Sequence, residues 1–123
     1  LDDASASRGL RAAQDGPGVI VVVEERLLLA RAIEALVECG YPFLVANNLI
    51  SAGAMFRYLD VKLVLFGETW RGHAFRDLVD ALNLGKLGIR GALIAERSPS
   101  DLPSFVTFFG KTSFDAAALR QMF

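Results

Sequence analysis

Short apolar runs alternate with amphipathic stretches along the chain. Val19 to Val23, VIVVV, is β-branched and apolar on both alternating faces. Such a strand has to be covered on both sides, which means a parallel sheet sandwiched by helices. RLLLARAIEALVEC follows, with Leu28, Ala32, Leu36 and Cys39 at helical spacing and Gly40 as the stop. Pro42 to Ala46 reads as a second strand, its proline tolerable at the first position. Asn47 and Asn48 are good N-caps for a helix from about Leu49 to Tyr58. Gly53 inside that helix costs about 1 kcal/mol unless something packs close to it. Lys62 to Phe66, KLVLF, is a third strand, and a helix over about Ala74 to Leu84 is stopped by Gly85 and Gly88. Gly91 to Ala95 and Ser104 to Phe109 are the fourth and fifth strands. Thr112 or Ser113 can cap a last helix with Asp115 in its first turn.

Strands alternating with helices give a parallel sheet with right-handed crossovers. One interval breaks the alternation. Between the fourth and fifth strands lies only ERSPSDLP, Glu96 to Pro103, where a parallel crossover usually takes at least about 10–12 residues with its helix. Pro99 and Pro103 discourage helix further, so a stunted crossover of at most one helical turn is expected. Residues 1–18 are small and polar, end in Gly16-Pro17-Gly18, and read as a flexible tail or linker with a short helical piece around Leu10 to Gln14. Residues 19–123 then form one domain.

Composition narrows the function. With 123 residues, 53% hydrophobic and 22% charged, the chain can bury a real core. A net charge of −1 offers no basic face for nucleic acid and no polybasic anchor for a membrane. The single cysteine, Cys39, cannot close an intramolecular disulfide, which favours a reducing, cytoplasmic setting. No signal peptide is visible, but the chain starts at Leu1 without a Met, so that absence carries little weight. His73 is the only histidine, so no histidine cluster can hold zinc. EERLLL has no glycine where a dinucleotide would lie after the first strand.

Open parallel sheets bind ligands outside the carboxyl ends of their strands. Those ends here carry Glu24-Glu25, Gly67-Glu68, Ala95-Glu96 and Gly110-Lys111. From about Val19 to Phe123 the chain resembles the receiver domains of two-component response regulators. VIVVVEE looks like the first strand with its acidic pair, and CGYPFLVANN like the helix end, second strand and Asn-rich turn. VKLVLFG looks like the third strand, and FFGKTSF like the fifth strand with its Lys before the last helix. The resemblance implies a flavodoxin-like α/β three-layer sandwich with a five-stranded parallel sheet in order 2-1-3-4-5, and the short ERSPSDLP interval leaves its fourth helix shortened or missing. It also implies a Mg²⁺-holding acidic pair, a phosphoryl-accepting Asp ending the third strand, a hydroxyl ending the fourth, and a Lys after the fifth that pairs with phosphate and usually precedes a cis-Pro.

Glu24, Glu25 and Lys111 match that pattern. The acceptor position is Gly67, the hydroxyl position Ala95 and the proline position Thr112, where a cis bond would cost about 2.5–4 kcal/mol. These five residues, Glu24, Glu25, Gly67, Ala95 and Lys111, make a vestigial phosphorylation pocket with no catalytic residue and no cofactor. Glu24 and Glu25 read either as a solvated acidic edge or as weak metal candidates; Lys111 reads as their ion-pair partner. Strand alternation turns Glu68 away from the face of position 67. The expected function is a phosphorylation-independent pseudo-receiver, a protein–protein interaction module in two-component phosphorelay signalling. The alternative is a small-ligand-binding domain using the vacated pocket; an enzyme built on Glu25, Glu68 or His73 is a third class. With the crossover short, apolar side chains of the fourth and fifth strands and last helix should be exposed. Ile94, Phe105, Phe108, Phe114 and Phe123 are the expected interface with a protein partner or a second copy, and Trp70 joins them as lid or exposed anchor unless, as is commoner for such a side chain, it simply packs inside.

Overall fold

A computed structural model of the chain describes residues 18–58 and 60–123. The expected tail and its helical piece lie outside the described residues, except Gly18, which already belongs to the first strand.

The elements run β1 (Gly18–Val22), α1 (Arg26–Cys39), β2 (Phe43–Val45), α2 (Leu49–Tyr58), β3 (Val61–Phe66), β4 (Thr69–Trp70), β5 (His73–Ala74), α3 (Phe75–Ala81), α4 (Leu84–Leu87), β6 (Arg90–Ala95), β7 (Val106–Gly110) and α5 (Ala116–Arg120). Five strands form one sheet in the order β2-β1-β3-β6-β7, with every pairing parallel. Counted along the chain, these are the five strands in the order 2-1-3-4-5. β1 is buried at every position because both faces are covered. On one face Val19, Val21, Leu63, Leu65, Ala92 and Ile94 meet α1 and α5. On the other, Ile20, Val22, Val64, Phe66 and Leu93 meet α2, α3 and α4. The result is a flavodoxin-like three-layer sandwich.

Local chemistry sets the helix ends. Gly40 is left-handed at φ 73°, and Tyr41 N donates to Leu36 O while Gly40 N donates to Val37 O, closing α1 with a Schellman pair. Asn48 caps α2, its Oδ1 accepting from Ser51 N at 2.8 Å while Ser51 Oγ accepts from Asn48 N. Nothing packs within 4 Å of a Cβ built on Gly53. The last helix is capped by Asp115 rather than by Thr112 or Ser113: its Oδ1 accepts from Ala118 N at 2.9 Å. The helix expected over Ala74 to Leu84 is two helices, because Asn83 takes a left-handed φ of 57° between them.

No helix joins β6 to β7; residues 96–105 form bends and turns only. Arg76 Nη1 holds this loop on α3, donating to Asp101 O at 2.7 Å and pairing with the Asp101 carboxylate at 2.5 Å. Leu102 packs against the core in the place a helix would take. Among the described residues, no helix is long and apolar enough to cross a membrane.

Candidate functional site

A cleft of about 120 Å³ opens at the carboxyl end of the sheet, lined by Val23, Glu24, Glu25, Leu28, Gly67, Glu68, Thr69 and Lys111. Glu24 and Glu25 stand in the turn between β1 and α1, Gly67 to Thr69 follow β3, and Lys111 follows β7. Parallel strands end together, so residues far apart in sequence meet here. Four of the five residues read from the sequence as a pocket are therefore brought together. The fifth, Ala95, is buried at the end of β6 outside the cleft lining. Its carbonyl accepts from Lys111 N at 3.0 Å.

The charged groups of the cleft are engaged with one another, with the Thr69 hydroxyl or with backbone. Lys111 Nζ lies 2.7 Å from Glu25 Oε2. That hydrogen bond raises the Lys111 pKa above the ordinary lysine value; desolvation opposes it, and the charges of Glu25, Glu96 and Glu68 add in the raising direction. Arg31 Nη1 donates to Lys111 O at 2.8 Å, which fixes the chain around the lysine. Glu24 turns both oxygens toward the segment after β3: Oε1 accepts from Thr69 Oγ1 at 3.1 Å and Oε2 from Arg71 N at 2.9 Å.

That segment is a small antiparallel hairpin. Thr69 faces Ala74 and Trp70 faces His73 across a two-residue turn, Arg71-Gly72, with φ of 50° and 81°. Two positive φ values are the signature of a type I′ turn. Phe75 N donates to Glu68 O at its base. Trp70 is 2% exposed and packs into the core, so it is neither an open lid nor a surface anchor. His73 is exposed on β5 and lies outside the cleft lining.

Two sequence expectations are corrected here. Glu68 does line the cleft: the strand ends at Phe66, alternation stops with it, and the loop brings the carboxylate round to accept from Glu96 N at 3.2 Å. The expected apolar surface is largely sealed. Ile94 and Phe114 are fully buried beneath the helix layer of α1 and α5, Phe114 meeting Phe109 edge-to-face at 5.6 Å. Phe105 and Phe108 are half-buried, and only Phe123, at 47%, is well exposed, edge-on to Tyr41 at 4.9 Å. The short crossover does not bare the sheet because Leu102 and Phe105 fold over it. Sequence reasoning missed the roles of Thr69, Arg71 and Arg31; the one available signal was Gly72 following a strand end.

The residues present do not fit a hard divalent cation. Such an ion needs several free, fixed oxygens, while Glu24 is committed to the hairpin, Glu25 to Lys111, and position 67 has no side chain. Among the described residues, no group of three or more His, Cys, Asp or Glu side chains is placed to hold a metal.

No protein-family model matches the sequence, and no curated protein matches it significantly. Solved structures do match the fold. A CheY-like response regulator receiver domain protein from Methanospirillum hungatei aligns with TM-score 0.69 at 14% identity, covering 85% of this chain and 89% of that one. A response regulator receiver domain protein from Bacillus halodurans aligns with TM-score 0.70 at 12% identity, covering 86% and 96%. A response regulator from Thermotoga maritima, solved in complex with Mg²⁺-BeF, aligns with TM-score 0.66 at 21% identity, covering 86% and 95%. The chain thus has the fold of CheY-like response regulator receiver domains.

Proposed function

We propose that this chain is a pseudo-receiver: a regulatory protein–protein interaction module of two-component signalling that works without aspartyl phosphorylation, in the cytoplasm. The observation that carries this reading is the occupation of the cleft by its own groups around a glycine. Where the fold's phospho-accepting carboxylate would stand there is Gly67, and the acids beside it hold Thr69, the Arg71 amide and Lys111. A new phosphoryl charge would have no acceptor, no hydroxyl from Ala95 and no free cation. Partners dock on the β6–β7 side of the domain; Phe105 and Phe108 remain as the contact residues there, with Phe123 on the opposite face. Nothing in the charge of the chain calls for nucleic acid or a membrane surface.

The competing reading, a small-ligand site in the same cleft, is disfavoured by size. A volume of about 120 Å³ falls below the roughly 300–1,000 Å³ of ordinary ligand pockets. Incubation with acetyl phosphate and Mg²⁺, followed by intact mass measurement, tests the proposal. The expected spectrum shows no phosphoryl adduct. A stoichiometric adduct mapped to Glu68, the remaining cleft carboxylate next to the vacant position, would overturn it.

A further inference from the structure

The two edges of the sheet differ. β7 is capped at both ends by the chain's own backbone: Val106 N donates to Pro103 O at 3.0 Å, and Gly110 O accepts from Ser113 N and Phe114 N, each at 3.1 Å. β2, at the other edge, pairs only with β1 among the described residues. Successive residues of a strand aim their backbone groups to opposite edges. Pro42 O accepts from Val19 N and Ala46 N donates to Val21 O, so the even-numbered residues face β1. Phe43 and Val45 therefore aim N–H and C=O outward. Among the described residues, no turn or loop backbone meets these four groups.

The usual guards of an edge are missing. No charged residue occurs from Cys39 to Phe56. Pro42 faces β1, so its ring leaves the outward edge open. The one guard that remains is shortness, since β2 has three residues, and apolar side chains on both faces offset it. α1 turns Arg31 and Cys39 toward α5, with Arg31 Nη1 on Lys111 O and Cys39 Sγ on Ala116 O. Helical spacing then sets Leu29, Ile33 and Val37 on the opposite flank, beside β2. Leu29 packs on the same core as Phe43 and Val45, Ile33 is half-buried, and Val37 is 65% exposed. On the other face of the sheet Leu44 is partly buried at the margin of the second core.

The four outward groups complement themselves. In an antiparallel pairing about a two-fold axis at Leu44, Phe43 lies opposite Val45 of the second copy and the two exchange both N–H···O bonds. The same exchange repeats across the axis, so all four groups of each copy are used. The axis stands perpendicular to the sheet, and each face meets its like: Phe43 meets Val45 on the α1 side, and Leu44 meets Leu44 on the α2 side. Apolar pairs of this kind stabilise a sheet, and isologous contacts are the commonest way identical chains assemble.

We infer that β2 is the docking strand for a second copy of this chain, joining two five-stranded sheets antiparallel through Phe43 and Val45. This goes beyond the interaction module proposed above and leaves its β6–β7 side open to another partner.

The test measures mass by sedimentation equilibrium from micromolar to millimolar concentration, and oxidative cross-linking in a Cys39→Ala background. The expected result is a dimer. Opposed residues without mutual hydrogen bonds have Cα atoms about 4.5 Å apart, within disulfide reach, so Leu44→Cys should cross-link to itself. Phe108→Cys, on the far edge of the sheet, should not. Val45→Pro deletes an N–H that β1 does not use, so the monomer should keep its fold. It removes two of the four bonds between copies and should raise the dimer dissociation constant by more than about tenfold. In the wild-type chain the Phe43 and Val45 amides should exchange at least about tenfold more slowly in the dimer than in dilute monomer; this readout decides if either variant fails to fold. A monomer throughout the range, a dimer that cross-links through Phe108→Cys instead of Leu44→Cys, or amide exchange at Phe43 and Val45 that does not vary with concentration overturns the inference. None of these outcomes touches the pseudo-receiver reading, which fails separately if the cleft accepts phosphate.

Discussion

Gly67→Ala and Gly67→Asp, measured together, separate the shape of the cleft from its charge. A Cβ on Gly67 would meet Leu28 Cδ2 at 3.7 Å, Thr69 O at 3.8 Å and Val23 Cγ1 at 3.9 Å, all ordinary contacts, and the backbone there is not left-handed. Alanine therefore fits, and by narrowing the unfolded ensemble it should stabilise the domain by about 0.4–1 kcal/mol. Aspartate takes the same backbone gain but adds a carboxylate to a cleft already lined by Glu24, Glu25 and Glu68, with Lys111 as the one cleft cation and that already paired with Glu25. All three glutamates are exposed. Exposed charge pairs are worth about 0.2–1 kcal/mol each, so three repulsions against one shared attraction leave a cost of roughly 0.5–2 kcal/mol relative to alanine. Urea titrations at low and high salt measure this directly. Gly67→Asp should be the less stable variant, and the gap should shrink as salt screens the cleft. Equal stability of the two variants at low salt, or a gap that salt leaves unchanged, would refute the electrostatic picture.

Other substitutions probe the rest of the structure. Glu24→Ala releases the hairpin from Thr69 Oγ1 and the Arg71 amide and should destabilise the domain by about 1–3 kcal/mol; faster exchange at the Arg71 amide is the local readout. Lys111 has its pKa raised mainly by the Glu25 hydrogen bond. The stability it contributes is thus complete below the unfolded lysine pKa and lost as pH rises through the folded one, and Glu25→Gln should move the Lys111 titration down in an NMR experiment. Gly53→Ala, in a helix where nothing crowds the new Cβ, should add about 0.5–1 kcal/mol in thermal or urea unfolding. Asp115→Ala removes the cap on Ala118 N and should cost about 0.5–2 kcal/mol in the same assays.

The elements legible in the sequence were those with a long, consistent period. The β-branched run of β1 and the spacing of Leu28, Ala32 and Leu36 in α1 leave one solution each, and α2 begins where Asn48 can cap it. The stunted crossover was legible because the eight residues Glu96 to Pro103, two of them prolines, cannot hold a packed helix. The hairpin after β3 was not: two-residue strands have no period, and its turn needs a positive φ at Arg71, which a non-glycine side chain does not advertise. Asn83 hid the break between α3 and α4 in the same way, inside a run whose Leu82 and Leu84 are both buried. The site's membership was readable from where parallel strands end. Its wiring was not, since Glu24 could equally have faced Lys111, and only the hairpin's position assigns it to Thr69 and Arg71.

The central claim is that the cleft is closed to phosphoryl chemistry by its own residues. Its most direct test is a titration of the ¹⁵N-labelled wild-type chain with Mg²⁺ and beryllofluoride, a phosphate mimic, followed through the amide spectrum. Unchanged resonances for Glu24, Gly67, Glu68 and Lys111 at saturating reagent are the predicted result; saturable shifts that start at residues 67–69 and spread into β7 and α5 would contradict it.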